Sequence, residues 1–261
     1  MDMNNVKAIT LPNGGKVKKI KNSNGQTIWA DDTKYPYRQL EWINFTGDQC
    51  CDIGSTWIMN KAYGINLIIN ATGPNIGGVL AGNNHMETYG GYICNIQGNS
   101  QGLDLYFTYR VGISKSPNYV FADYFPKNSE RTLWTYFNYN ATYFDIRDAN
   151  GNIMGHDSLA TEKTFPSSRN VFIGANTDTS DYYLKGVKIK SLKIADSTLS
   201  GGEINVGTIN SEMLPCQRKS DGKLGFYMTS DNTFHPLSGT TTSDNIGPTV
   251  EEYPDKMSIN F

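Results

Sequence analysis

The chain of 261 residues has little charge of either sign: 18% of it is Asp, Glu, Lys or Arg, and the net charge is −2. A nucleic-acid binder needs a concentrated basic surface to neutralise phosphates, so that class is excluded. No run of 18 uninterrupted apolar residues occurs, so no helical membrane span is expected. The opening Met1 to Asn5 lacks the basic and apolar regions of a signal peptide, and synthesis in a cytoplasm is expected. The four cysteines, Cys50, Cys51, Cys94 and Cys216, form no CxxC pair and no zinc pattern. They read as free, mostly buried thiols, with at most one of the adjacent Cys50 and Cys51 facing the core.

Catalytic motifs are missing too. His85, His156 and His235 stand in no recognisable pattern, and there is no Gly-x-Ser-x-Gly elbow, Walker loop or His-Glu-x-x-His. Glycoside hydrolysis needs paired carboxylates facing a cleft. The acidic residues here fall mainly beside Gly, Asn or Ser in turns, with Glu41 and Glu87 as exceptions that read as strand-end or surface groups. No enzymatic activity is expected, and a glycan-active hydrolase is the lesser alternative. Asp148 to Asn152 looks superficially like a calcium loop, but its Gly is fourth and its twelfth position is Leu159. It reads as an Asn-Gly hairpin. No cofactor is expected. Asp178, Asp181 and Asp231 are the loop carboxylates that a calcium ion would use.

What is abundant points one way. Sixteen Tyr, 11 Phe and 26 Gly with few charges make the composition of an all-β chain with many tight turns. Leu103 to Ile113 alternates cleanly, with Leu103, Leu105, Phe107, Tyr109, Val111 and Ile113 on one face. Tyr63–Ile69 and Leu133–Ile146 are similar strand-rich stretches. Between Val187/Ile189 and Leu192/Ile194 the apolar parity changes, which predicts a β-bulge near Ser191. No apolar pattern holds a 3.6-residue period beyond two turns.

Residues 1–30 read as a small β module, with turns at Pro12 to Gly15 and Asn24-Gly25. So small a unit cannot bury its own apolar side chains. Ile9, Leu11, Val17, Ile20, Ile28 and Trp29 therefore need another surface and are candidates for attachment or oligomerisation. Residues 31–37 form a polar linker, 38–247 the main domain, and 248–261 a tail or docking arm. Sugar sites place an open aromatic face among Asn, Asp and Gln. Trp57, Tyr89, Tyr92, Trp134, Tyr136 and Tyr139 lie near Gly- and Asn-rich loops and are the candidate ligand-binding rings.

Two segments resemble a known family. Gly186 to Asp196 resembles the "kIySfKIyd" strand of LamG-like, concanavalin A-like jelly-roll domains of bacteriophage and prophage proteins. Leu214 to Tyr227 is similar to their "vPcrrksDGkiGlYD" segment, and Asn232 to Thr240 to "nkFytnsGtG". Leu40 to Gly54 resembles the opening "LeyIestGtqyidtG", and Ile20 to Trp29 the short β units that precede such domains. Met228, His235-Pro236 and Thr241 depart from the pattern. The matched C-terminal motif is a folding motif: Ser220 to Gly222 and Asp231-Asn232 turn, Leu224 and Phe226 share a face, and Phe234 returns to the core. The resemblance implies two antiparallel sheets in jelly-roll order. It implies a virion surface protein, a head or tail fibre, that adheres to host-surface glycan or protein. Its implied partners are other virion proteins and its own copies, a homotrimer before a dimer. A purely structural decoration protein without receptor is the alternative.

Overall fold

In a computed structural model, residues 19–21, 27–30, 37–54, 58, 60–71, 76–82, 91–98, 103–110, 118–120, 125–138, 141–160, 170–175 and 183–250 are described. The strands, in chain order, are β1 (Lys19–Lys21), β2 (Thr27–Ala30), β3 (Tyr37–Gln39), β4 (Ile43–Thr46), β5 (Cys50–Asp52) and β6 (Lys61–Ile69). Next come β7 (Gly77–Gly82), β8 (Gly91–Gly98), β9 (Leu103–Arg110), β10 (Asn118–Val120), β11 (Glu130–Phe137) and β12 (Ala141–Arg147). The last are β13 (Ile153–Ala160), β14 (Phe172–Ile173), β15 (Lys185–Ser200), β16 (Glu203–Arg218), β17 (Leu224–Met228) and β18 (Thr233–Ser238). One 3₁₀ turn, Ser243–Asn245, follows.

The N-terminal hairpin is present: β1 and β2 pair antiparallel as a two-stranded sheet of their own, with Ile20 opposite Trp29. Ile20, Ile28 and Trp29 lie on these strands, while Ile9, Leu11 and Val17 lie outside the described residues.

All other strands join one antiparallel path, β10-β9-β8-β7-β14-β5-β18-β17-β16-β15-β6-β11-β12-β13, with β3 on β16 and β4 on β15. Lys185 of β15 also pairs with Gly77 of β7, closing a ring of seven strands. The protein is all-β, as composition and alternation require. The described pairings make a closed seven-strand barrel with further strands attached.

One face of several strands supplies the core. Ile43 and Phe45, Leu67 and Ile69, Phe144 and Ile146, Val187 and Ile189, and Leu224 and Phe226 are all buried in it. Each such side chain contributes about 1.5–3 kcal/mol by leaving water. The bulge falls where parity demands it: against β6 the register slips between Ile189 and Ser191. The slip keeps Leu192 in the core with Val187 and Ile189, and Ile194 packs against it. The Asp148 turn is the expected hairpin. The Asp148 carboxylate accepts from the backbone N–H of Asn150 and Asn152, both at 2.9 Å, and Gly151 takes φ +87°.

All four cysteines are buried and none is in a disulfide. Cys51 joins the main core; Cys50 is buried as well, although its strand position turns it to the other side. Burial pushes the thiols of Cys51, Cys94 and Cys216 up, which suppresses the thiolate. The native protein should resist a thiol reagent at pH 8 and take it up fully once denatured. Rapid labelling of the native chain would contradict this packing.

Candidate functional site

β15 and β16 are each 16 residues long, far longer than their neighbours, and meet at Gly201 and Gly202, whose φ values are +62° and +89°. Their pairing breaks register between Ile194 and Ala195 and again between Ala195 and Ser197. These bulges bend the far half of the hairpin into an arm. The arm lies on the outward face of β6, β11 and β12, where Ala195 and Ile204 form a second apolar cluster with Ala62, Trp134 and Tyr136. Gly64 makes room for the indole, because a Cβ there would sit 2.8 Å from the Trp134 ring. A buried ion pair holds the arm down. Asp145 Oδ2 accepts from the Ile204 N–H at 3.0 Å and from Arg147 at 2.9 Å, while Arg147 also donates to the Ile204 carbonyl.

This arm corrects the sequence reading of two rings. Trp134 and Tyr136 are each only 6% exposed and offer no open face to a sugar. Tyr92 lies on β8, opposite Tyr109 of β9. Trp57, Tyr89 and Tyr139 lie outside the described residues, as do Asp178 and Asp181. Asp231 is spent on its own turn, accepting from the Thr233 N–H at 3.0 Å. Among the described residues no group of three or more His, Cys, Asp or Glu is placed to hold a metal ion.

A shallow, open depression lies at the root of the arm. Its volume is about 420 Å³, and it is lined by Lys193, Ile209, Asn210, Ser211, Glu212 and Thr229. Lys193 and Glu212 are cross-strand partners, 3.6 Å apart. At its side Lys61 pairs with Asp196, and Asn210 donates to the same carboxylate at 3.0 Å. The Asn210 hydrogen bond, then Lys61, holds the Asp196 carboxyl below its ordinary range. Ser211 and Ser230 hydroxyls meet at 2.9 Å. An ionised carboxylate beside an ammonium group binds polar ligands or backbone; it does not deliver a proton at neutral pH. Sequence reasoning searched for rings and missed this place.

A third cluster sits on the outer side of β16 and β17: Leu214, Cys216 and Tyr227, with Tyr37 and Phe234 packed against them. Tyr37 stacks on Phe234 with centroids 5.1 Å apart, and Arg218 covers Phe234 at 4.9 Å. Phe234 thus leaves the main core, contrary to expectation. It lies directly opposite Tyr227, and facing residues of antiparallel strands share a side. Arg218 also grips Asp221 with two hydrogen bonds, at 2.9 and 2.6 Å, and these pull its carboxyl down to about 2. The folded value is depressed, so the stability it contributes is present above about pH 4 and is lost as pH falls through about 2. An NMR titration should place the Asp221 midpoint near 2 and return it to the ordinary range in Arg218→Ala. An unmoved midpoint would sink the assignment.

No protein-family model matches the chain, and no curated protein matches it. It is similar to many solved β-structures, of which three follow. The enzymatically active domain of tailspike protein 2 from bacteriophage CBA120 shows 7% identity over 62% of this chain and 26% of that one, with TM-score 0.47. The CBM40 of the Ruminococcus gnavus IT-sialidase, bound to α2,3-sialyllactose, shows 14% identity over 62% and 93%, with TM-score 0.45. Domains LG4–5 of the mouse laminin α1 chain show 8% identity over 89% and 83%, with TM-score 0.42. The chain spans about a quarter of the tailspike.

Proposed function

We propose that this chain is a phage virion surface protein. Its N-terminal module attaches it, and a LamG-like jelly roll presents loops to host-surface glycan or protein, without catalysis. One observation carries the reading. The segments that resemble the phage family come from opposite ends of the main domain, yet they are neighbours in the sheet. Phe45 pairs with Val187 and Ile43 with Ile189, while Cys51 pairs with Leu237. Resembling stretches far apart in sequence thus meet as one pairing unit, as a shared folding motif requires.

The depression beside β16 lacks an aromatic platform, so glycan contact is assigned to Tyr92 of β8 and to Trp57, Tyr89 and Tyr139. Single contacts of this kind are weak and gain affinity from several copies on one particle. The copies form a homotrimer, or else a dimer, in the virion beside other virion proteins. A glycan array probed with the multimer should show binding that falls at least tenfold in Trp57→Ala. A blank array would move the protein to the second reading, a decoration protein without receptor. That reading is favoured by the covered faces of Trp134 and Tyr136. Deleting residues 1–30 should leave a folded main domain that no longer enters particles. Undiminished incorporation would reject the attachment role.

A further inference from the structure

β16 lies between β15 and β17, but β17 pairs only with its Met213–Gln217 portion. On that same side no described strand pairs with Glu203–Glu212. The gap is bounded at both ends. At one, Asp145 and Arg147 take the backbone groups of Ile204. At the other, Thr229 donates its N–H to the Glu212 carbonyl at 2.9 Å and accepts the Glu212 N–H through its hydroxyl at 3.2 Å. Between them Asn205 and Gly207 to Asn210 are exposed, Ile209 is 41% exposed, and the depression opens beside it. The stretch from Asn205 to Asn210, with which no described strand pairs on this side, is a template for one more strand.

We infer that the open edge of β16 accepts the C-terminal segment Met257–Phe261 of a second copy of this chain as an added strand. The segment suits the place. Met257, Ile259 and Phe261 alternate with Ser258 and Asn260, so one face of a strand built from it is wholly apolar. That face can cover Ile209, while Ser258 and Asn260 stay wet. Geometry favours exchange between copies. The described chain ends at Val250, whose N–H donates to Gln39 of β3 at 3.1 Å. β3 pairs with Cys216–Arg218 on the side of β16 away from the gap, because β17 occupies the other side there. From Val250 to the middle of the gap is about 26 Å along the sheet and about 10 Å across it, a straight line of roughly 28 Å. That line runs through the sheet itself. The stretch from Val250 to Ile259, fully extended, spans at most about 32 Å, which leaves little slack to go round. A neighbouring copy has no such limit. The inference is independent of any receptor: it concerns how copies join, and a blank glycan array leaves it standing.

The test is a full-length chain carrying Thr208→Cys and Ile259→Cys, oxidised and run without reductant. The native cysteines are buried, so they do not compete. A disulfide linking two chains is the expected result. A disulfide closing within one chain, or none at all, overturns the inference. A chain lacking residues 257–261 provides the second measurement, because it leaves every described residue in place. Light scattering should show a smaller assembly than the full chain, with an unchanged melting temperature. An assembly of undiminished size overturns the inference.

Discussion

Asp145→Ala should lower the stability of the main domain by about 3–5 kcal/mol, the cost of leaving one member of a buried ion pair alone. Asp145 is fully buried, and its Oδ2 holds both Arg147 and the Ile204 N–H. Truncation strands the guanidinium under the arm and frees a backbone donor there. For a domain of this size that is a fall in melting temperature of roughly 10 °C. Asp145 Oδ1 and Arg147 Nε have no hydrogen-bond partner, so the pair is imperfectly satisfied even when intact. The double substitution Asp145→Leu with Arg147→Met should therefore recover most of the loss, since an apolar pair of similar volume carries no stranded charge. Thermal melts of the three proteins decide it. A single variant within 1 kcal/mol of the parent would show that the pair does not hold the arm.

Gly239→Ala should cost about as much, roughly 3–5 kcal/mol, by a different route. Gly239 has φ +88°, and a Cβ there would overlap the carbonyl oxygen of Asp48. The overlap is with backbone, so no rotamer change relieves it. The segment it would push apart is the one that seals β18 against β5. Ser238 pairs with Cys50, Gln49 donates to the Thr240 carbonyl at 2.6 Å, and the Thr240 N–H reaches Asp48 at 3.1 Å. Gly239 also belongs to the segment that resembles the phage motif "nsGtG", and this contact supplies a steric reason for a glycine there. Gly151→Ala is the control: its φ is also positive, but no atom lies within 4 Å of the added carbon. It should lose only about 1–2 kcal/mol, the strain of the backbone conformation alone. Equal losses in the two variants would remove the steric explanation.

The arm and the glycine mark where reading the chain residue by residue succeeds and where it stops. The bulge near Ser191 was legible because apolar parity is a local quantity, and a slip of one residue leaves a trace in four side chains. The turn at Asp148 was legible because Asp, Asn and Gly each have a local reason to be there. Trp134 and Tyr136 were not legible. They lie on the outward face of β11, and nothing nearby in sequence says that Ile204 returns to cover that face. Phe234 failed for a related reason. Its side is set by its cross-strand partner Tyr227, and hence by the register of β17 against β18.

Composition, alternation and turn chemistry by themselves determined that this protein is all-β, that its thiols are buried and where its strands turn or bulge, because each depends on neighbours along the chain. Only the tertiary structure decided that the path closes through Lys185 and Gly77, that an arm hides two aromatic rings, and that no described strand pairs with Glu203–Asn210 on one side of β16. Those outcomes depend on pairings between residues far apart in sequence, whose partners are chosen by the packing of the whole.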